Sequence, residues 1–186
     1  MRKLLAGSPI VLLGLLSVAT PAEAQLNSNE ATATLTAVLA ESLTVTLLPS
    51  AVGFTLSSGS ASNPGGLTIA ATTTWTLAAT RTNLALYGYF SSASAALVHT
   101  SPANSTDIPS SRVEVSVNGA ANAAFDQTVA FGAASAGRQL FSQAITLLTA
   151  SGTRTDTLAL NINLSGSALP ADTYTGTLRI RAQATP

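Results

Sequence analysis

The pattern that decides the fold lies in residues 31–47, which read ATATLTAVLAESLTVTL. The odd positions are apolar apart from Glu41, and the even positions are largely threonine. Successive side chains of a β-strand point to opposite faces, so this alternation predicts one apolar face and one hydroxyl face. Glu41-Ser42 interrupts the pattern and predicts a kink, or a switch between two strands.

The same period of two recurs along the rest of the chain, between breaks rich in glycine, proline, asparagine and serine. It predicts strands at 52–56, 67–77, 84–90, 113–117, 123–131, 139–147, 158–164 and 174–182. Asn118-Gly119 is a tight-turn signal between two of them. Short, evenly spaced strands of this kind predict an all-β fold, an immunoglobulin-like antiparallel β-sandwich of roughly 8–10 strands.

The N-terminus has the three parts of a secretory signal. Arg2 and Lys3 are followed by an apolar stretch, residues 4–18, and then by the small-x-small site Ala22-Glu23-Ala24. We therefore expect residues 1–24 to be a cleaved signal peptide and residues 25–186 to form a single domain. The expected destination is outside the cytoplasm: periplasm, cell surface or extracellular space, with no integral membrane span after cleavage.

The expected mature chain carries little charge. It has six arginines, no lysine and seven acidic residues, and the whole sequence has no cysteine. Such a surface has no positive field to attract a polyanion, which argues against nucleic acid as a partner. Without cysteine, the domain is held by its core or by assembly rather than by disulfides.

Catalytic residues are not evident in the sequence. His99 is the only histidine, and the acidic residues are scattered singly along the chain. A catalytic triad, a metal site or a two-carboxylate hydrolase needs several such groups in a fixed arrangement. We therefore expect no enzyme activity, no catalytic residues, no cofactor and no metal site.

Three stretches together resemble a known group of proteins. They are the Ala/Thr strand at 31–38, the short segment Val52-Gly53-Phe54, and the ending 169–180, LPADTYTGTLRI. The chain resembles the secreted bacterial β-sandwich families that include spore coat protein U and the archaic chaperone–usher pilins. In those families a Pro-Ala-Gly-x-Tyr turn leads into the final strand, and Asp172 stands here in place of the glycine. The pilins commonly carry a disulfide near the N-terminus, which this chain lacks. The resemblance implies an exported, non-catalytic structural protein, such as a coat, matrix or fimbria-like component.

The last predicted strand leaves two arrangements open. Tyr174 at its start is expected to form a tyrosine corner, and in an immunoglobulin-like sandwich one further strand follows such a strand. Either the N-terminal segment closes the sheet within the same molecule, or a groove is left for an alternating strand from a neighbour. The residues with the right periodicity for such a strand-exchange segment are Ala31, Ala33, Leu35, Ala37 and Leu39.

Three functions therefore remain from the sequence. The first is a structural or surface-displayed protein, and the second is a self-assembling pilus-type subunit joined by donor-strand exchange through residues 31–39. The third is a carbohydrate- or surface-binding adhesive domain with Tyr87 and Tyr89 as a contact face. The expected partners are further copies of the chain or other surface proteins.

Overall fold

The computed structural model describes residues 28–125 and 137–186. Residues 38–186 form one compact unit; of the unit before it, residues 1–37, the structure describes residues 28–37. The expected signal peptide therefore lies outside the described residues. Within them there is one short 3₁₀ turn, Ser110–Arg112, and no α-helix, so none of their helices is long and apolar enough to cross a membrane.

The described residues of the compact unit form ten strands. They are β1 (Ser42–Leu48), β2 (Ile69–Thr76), β3 (Asn83–Tyr89), β4 (Leu97–His99), β5 (Val113–Val117), β6 (Ala123–Ala124), β7 (Arg138–Ala144), β8 (Ser151–Ile162), β9 (Tyr174–Gly176) and β10 (Arg179–Thr185). A five-stranded sheet has the order β1-β2-β8-β5-β6, a three-stranded sheet the order β10-β3-β7, and β4 pairs with β9. All pairs are antiparallel. The predicted all-β antiparallel sandwich is confirmed.

The alternation in the sequence becomes the two faces of each strand. In β1, Leu43, Val45 and Leu47 turn toward the core, while the threonines between them are exposed. In β2 the odd positions are buried and include Trp75. Trp75 and Phe90 both lie in the core, which fills the space between the two larger sheets.

The turn after β5 has the predicted geometry. Asn118 and Gly119 both have positive φ, at 53° and 80°. Two consecutive residues in this left-handed region form the type of tight turn that follows the twist of the flanking strands. The chain then returns as β6, opposite Glu114 and Val115.

The strands differ from the predicted ones in several places. The predicted strand at 52–56 is reduced to a bridge between Phe54 and Gly65, and β7 ends at Ala144 instead of Leu147. The predicted strand at 174–182 is divided into β9 and β10, and β4 is a strand that the sequence pattern does not predict.

Residues 28–41 contain no regular secondary structure, so the alternation at 31–39 does not form a first strand of the sandwich. β8 begins at Ser151, well before the predicted Leu158. The sequence pattern predicts too short a strand because Arg154 and Asp156, on the inward face of β8, are charged and not apolar. The strand predicted at 123–131 is described only as far as Phe125, and its remainder lies outside the described residues.

Candidate functional site

An apolar cleft with a volume of about 920 Å³ opens into the core of the sandwich. One wall, here called the N-wall, is residues 49–56, which follow β1. The other, the C-wall, is residues 169–178, which lead through β9 toward β10. The floor consists of core side chains: Ile69, Phe90, Leu97, Val113, Leu160, Ile162 and Leu164. Among the described residues that line the cleft, Asp172 is the only charged one.

The C-wall is held from behind through Asp172. Its carboxylate accepts hydrogen bonds from Asn104 Nδ2 at 2.9 Å, from Thr100 Oγ1 at 3.0 Å and from the backbone N–H of Ser101 at 3.1 Å. The Asn104 amide, with these other donors and the Thr173 N–H, lowers the pKa of Asp172 to about 2. The carboxylate therefore ties the wall to the loop at 100–104. From the sequence pattern, Asp172 is expected to be only a turn residue.

Tyr174 and Gly176 fix the same wall. The Tyr174 hydroxyl donates to the carbonyl oxygen of Pro170 at 2.9 Å, the contact made in a tyrosine corner, and accepts from Asn104 Nδ2 at 3.0 Å. At Gly176 a Cβ would collide with the carbonyl oxygen of Ala96, so only glycine permits this close approach of β9 to β4.

The N-wall is held by a buried asparagine. Asn63 receives the backbone N–H of Ser57 on its Oδ1 at 2.7 Å and donates from Nδ2 to the carbonyl oxygen of Ile162 at 2.8 Å. Its own N–H donates to Asn161 Oδ1 at 2.8 Å. Gly66 N–H also donates to the Gly53 carbonyl oxygen at 2.9 Å. Both walls are thus fixed to the sandwich independently of any occupant.

In the described residues, the two sides of the cleft are joined at one end, where the chain continues just beyond the walls. There, Gly59 N–H donates to the Ser167 carbonyl oxygen and Leu169 N–H donates to Ser58 Oγ, each at 3.0 Å. Along the cleft itself, no backbone hydrogen bond of the described residues joins 49–56 to 170–178. The cleft is therefore an opening between two strand-like edges, above an apolar floor.

The segment with strand-exchange periodicity is exposed. Leu35 has 93% of its surface accessible, and Val38 and Leu39 are almost as exposed. Residues 31–40 contain no charged side chain. Leu35 and Leu39 lie on the same face of an extended chain, and large apolar side chains exposed together in this way mark a candidate interaction site.

Glu41 fixes the point at which this segment joins the sandwich. Its carboxylate accepts hydrogen bonds from Arg81 Nε and Nη2 at 3.1 and 3.0 Å and from the Ala78 N–H at 2.7 Å. Arg81, followed by the Ala78 N–H, lowers the pKa of Glu41 to about 2.

This junction is at the end of the sandwich remote from the cleft. Ser42 pairs with Thr76 at one end of β1, whereas Leu48 pairs with Ala70 at the other, where the cleft lining begins. We call the first the exit end and the second the cleft end.

The proposed contact face, Tyr87 and Tyr89, lies away from the cleft. Both side chains are half-buried on β3, and their strand partners on β10 are Arg181 and Arg179. The two tyrosines therefore share the outer surface of the three-stranded sheet with two arginines, and they do not line the cleft.

His99 is paired with a carboxylate. Its Nδ1 lies 2.7 Å from Asp107 Oδ1, and its backbone N–H donates to the same oxygen. These hydrogen bonds, with the backbone one first, lower the pKa of Asp107. In the part of the chain that the structure describes, no three histidine or acidic side chains come together as a metal site would require.

In comparisons with known proteins, no protein-family model matches this chain and no curated protein matches it. The candidate function therefore rests on the cleft and on the exposed segment.

Proposed function

We propose that this chain is an exported, non-catalytic structural subunit that assembles by strand exchange. Residues 31–39 of one copy lie in the cleft of the next copy, with Ala31, Ala33, Leu35, Ala37 and Leu39 facing the floor. The observation that carries the proposal is the apolar cleft between two braced walls. An alternating strand placed there covers the core and pairs with an exposed edge.

The alternation of the segment suits a site with one apolar side. Its odd residues meet the floor, while the threonines on the even positions face water. Both the segment and the cleft are nearly free of charge, so no ion has to be buried without a partner when they join.

Chain length favours a neighbouring copy over self-insertion. From the exit end, the segment would first have to run back along β1, which spans about 20 Å at 3.3 Å per residue. Residues 31–40 reach at most about 35 Å when fully extended. Only about 15 Å of chain would remain, whereas the eight residues of the N-wall span about 25 Å at 3.3 Å per residue. A copy whose exit end meets the cleft end of the next one repeats head to tail, and such a contact builds an open filament when the rotation between copies does not close a ring.

A charge placed on one face of the segment tests the proposal. In the chain that begins at Gln25, Leu35→Asp is expected to abolish assembly, because the carboxylate would be buried against an apolar floor. The measurement is the mass distribution by size-exclusion chromatography with light scattering.

Thr34→Asp is the matched control for this variant. It adds the same charge one residue away, on the face expected to meet water, and is expected to assemble nearly as well as the unsubstituted chain. Equal assembly of both variants, or a wild-type chain that stays monomeric at high concentration, would refute strand exchange.

A further inference from the structure

Two adjacent leucines form an exposed apolar tip on the sandwich. Leu147 and Leu148, in the connection between β7 and β8, are 82% and 96% exposed. A leucine pair this exposed is unusual on a chain that otherwise presents mainly threonine, serine and alanine to solvent. The proposed strand exchange does not use it.

The tip is held rigidly. Thr149 Oγ1 accepts the N–H of Thr146 at 2.8 Å, and the N–H of Thr149 donates to the Thr146 carbonyl oxygen at 3.0 Å. The Trp75 indole N–H donates to the Thr149 carbonyl oxygen at 2.9 Å. The two leucines are therefore presented on a turn braced against the core, and a preorganised surface loses little entropy when it binds.

The tip lies at the exit end of the sandwich. Just after it, Ser151 pairs with Thr76, which also pairs with Ser42 at the start of β1. Leu77 N–H donates to the Ala150 carbonyl oxygen at 2.8 Å, which keeps the turn beside the loop that holds Glu41. The leucines and the base of the strand-exchange segment therefore occupy the same end of the domain.

The geometry points to a second contact between copies, an inference that rests on the proposed function. Leu147 and Leu148 of one copy pack on the cleft end of the next copy. With residues 31–39 in its cleft and β1 starting at Ser42, only Ala40 and Glu41 connect the two copies. The three residue steps from Leu39 to Ser42 span at most about 11 Å. The exit end of one copy therefore abuts the cleft end of the other, and burying the tip there removes its apolar surface from water.

The direction of the inserted strand indicates the contact region. Pairing antiparallel to the C-wall, which is more stable per residue than parallel pairing, puts Leu39 near Leu169. The donor then leaves past the closed end of the cleft, where Ser58 and Gly59 meet Ser167 and Leu169. The loops at 57–61 and 165–169 are thus the surface that the leucine tip meets.

The test is the double variant Leu147→Ser, Leu148→Ser in the chain that begins at Gln25. We expect its polymers to dissociate at least about tenfold faster on dilution than those of the unsubstituted chain, because two buried leucines are lost from each junction. The matched double variant Leu147→Met, Leu148→Met keeps an apolar tip and is expected to dissociate at the unsubstituted rate.

Binding of a peptide of residues 29–41 separates this inference from the proposed function. Both proteins carry Leu35→Asp in this experiment, so that no segment of another copy competes with the peptide. The serine variant should then bind the peptide as the protein with unsubstituted leucines does, since its cleft is unchanged. If the peptide binds neither protein, strand exchange itself fails. If the peptide binds both and the serine polymers dissociate at the unsubstituted rate, only the second contact is refuted.

A photocrosslinker locates the partner of the tip. The chain has no cysteine, so a benzophenone can be attached at Leu148→Cys alone. In the polymer we expect adducts with residues 57–61 or 165–169 of another copy. Adducts confined to the same copy would overturn the inference. A lipid contact would also overturn the inference. It would be shown if the monomeric Leu35→Asp protein floats with phosphatidylcholine vesicles and the same protein with both tip leucines replaced by serine does not.

Discussion

A synthetic peptide of residues 29–41 is expected to raise the melting temperature of the Leu35→Asp protein by about 10 °C. This variant has an intact cleft but a disabled strand-exchange segment, so the peptide has no competitor. A ligand present at about 100 times its Kd stabilises the folded state by about 2.7 kcal/mol. In a domain of this size each kcal/mol raises the melting temperature by about 3–4 °C. Thermal melts at increasing peptide concentration measure the shift.

Two peptides serve as controls for this shift. One carries Leu35→Asp, and the other has the same composition in an order that breaks the alternation. Neither can place an apolar side chain at every second position, so neither is expected to raise the melting temperature by more than about 2 °C. A scrambled peptide as effective as the native one would mean that the cleft binds any apolar chain, and that residues 31–39 are not its specific occupant.

Replacing Arg154 by leucine is expected to lower the free energy of unfolding by about 3 kcal/mol at pH 7, because it leaves a buried carboxylate without its cation. Asp156 is 0% exposed and faces inward on β8. Arg154 donates to it from Nε at 2.9 Å and from Nη2 at 2.7 Å, and its guanidinium carbon lies 4.6 Å from the centre of the Phe141 ring. Chemical denaturation measures the loss.

The pH dependence identifies the cause of that loss. Burial alone would raise the pKa of Asp156, but the hydrogen bonds from Arg154 and Asn118 outweigh it and hold the pKa below its usual value. In the unsubstituted protein this carboxylate therefore stabilises the fold above about pH 4 and loses that effect as the pH falls. In Arg154→Leu burial prevails, so the folded state prefers the protonated acid and the deficit should shrink from pH 7 to pH 4.

Neutralising the carboxyl group completes the test. Adding Asp156→Asn to Arg154→Leu removes the stranded charge and keeps a partner for Asn118, so we expect more than half of the lost stability to return. A double variant less stable than Arg154→Leu, or a deficit independent of pH, would show that packing of the arginine on Phe141 matters more than charge pairing.

The sandwich could be predicted because its strands obey one rule. Leu43, Val45 and Leu47 in β1 face the core at the positions that the period of two requires, and Asn118-Gly119 turns where two left-handed residues are needed. β8 was predicted too short because its inward face carries Arg154 and Asp156. Burial of the Asp156 carboxylate depends on its pairing with the partly exposed Arg154, and a hydrophobic period cannot detect such a pair.

The candidate site was less accessible from sequence. The periodicity at 31–39 predicts a strand with one apolar face. Whether that face packs on its own sandwich depends on where the open cleft lies and on how far the segment must run along β1 to reach it, and only the folded chain shows both. Asp172 was interpreted as a turn residue in place of glycine, whereas its carboxylate binds a loop about 70 residues away. The sequence pattern predicts a strand at 139–147 and so places Leu147 at its end. Two leucines in sequence do not reveal that β7 stops at Ala144 and that both leucines lie in an exposed turn.

Disulfide trapping between two singly substituted proteins tests the central claim most directly. One protein carries Leu35→Cys, and the other carries Val52→Cys or Phe54→Cys in the N-wall of its cleft. We predict that mild oxidation of the mixture joins Leu35→Cys to at least one of these positions in a second copy, and that Thr34→Cys forms no such bond. Equal trapping by Thr34→Cys would contradict the account. So would a disulfide that forms at high dilution within one chain carrying both substitutions, because the segment would then close its own sandwich.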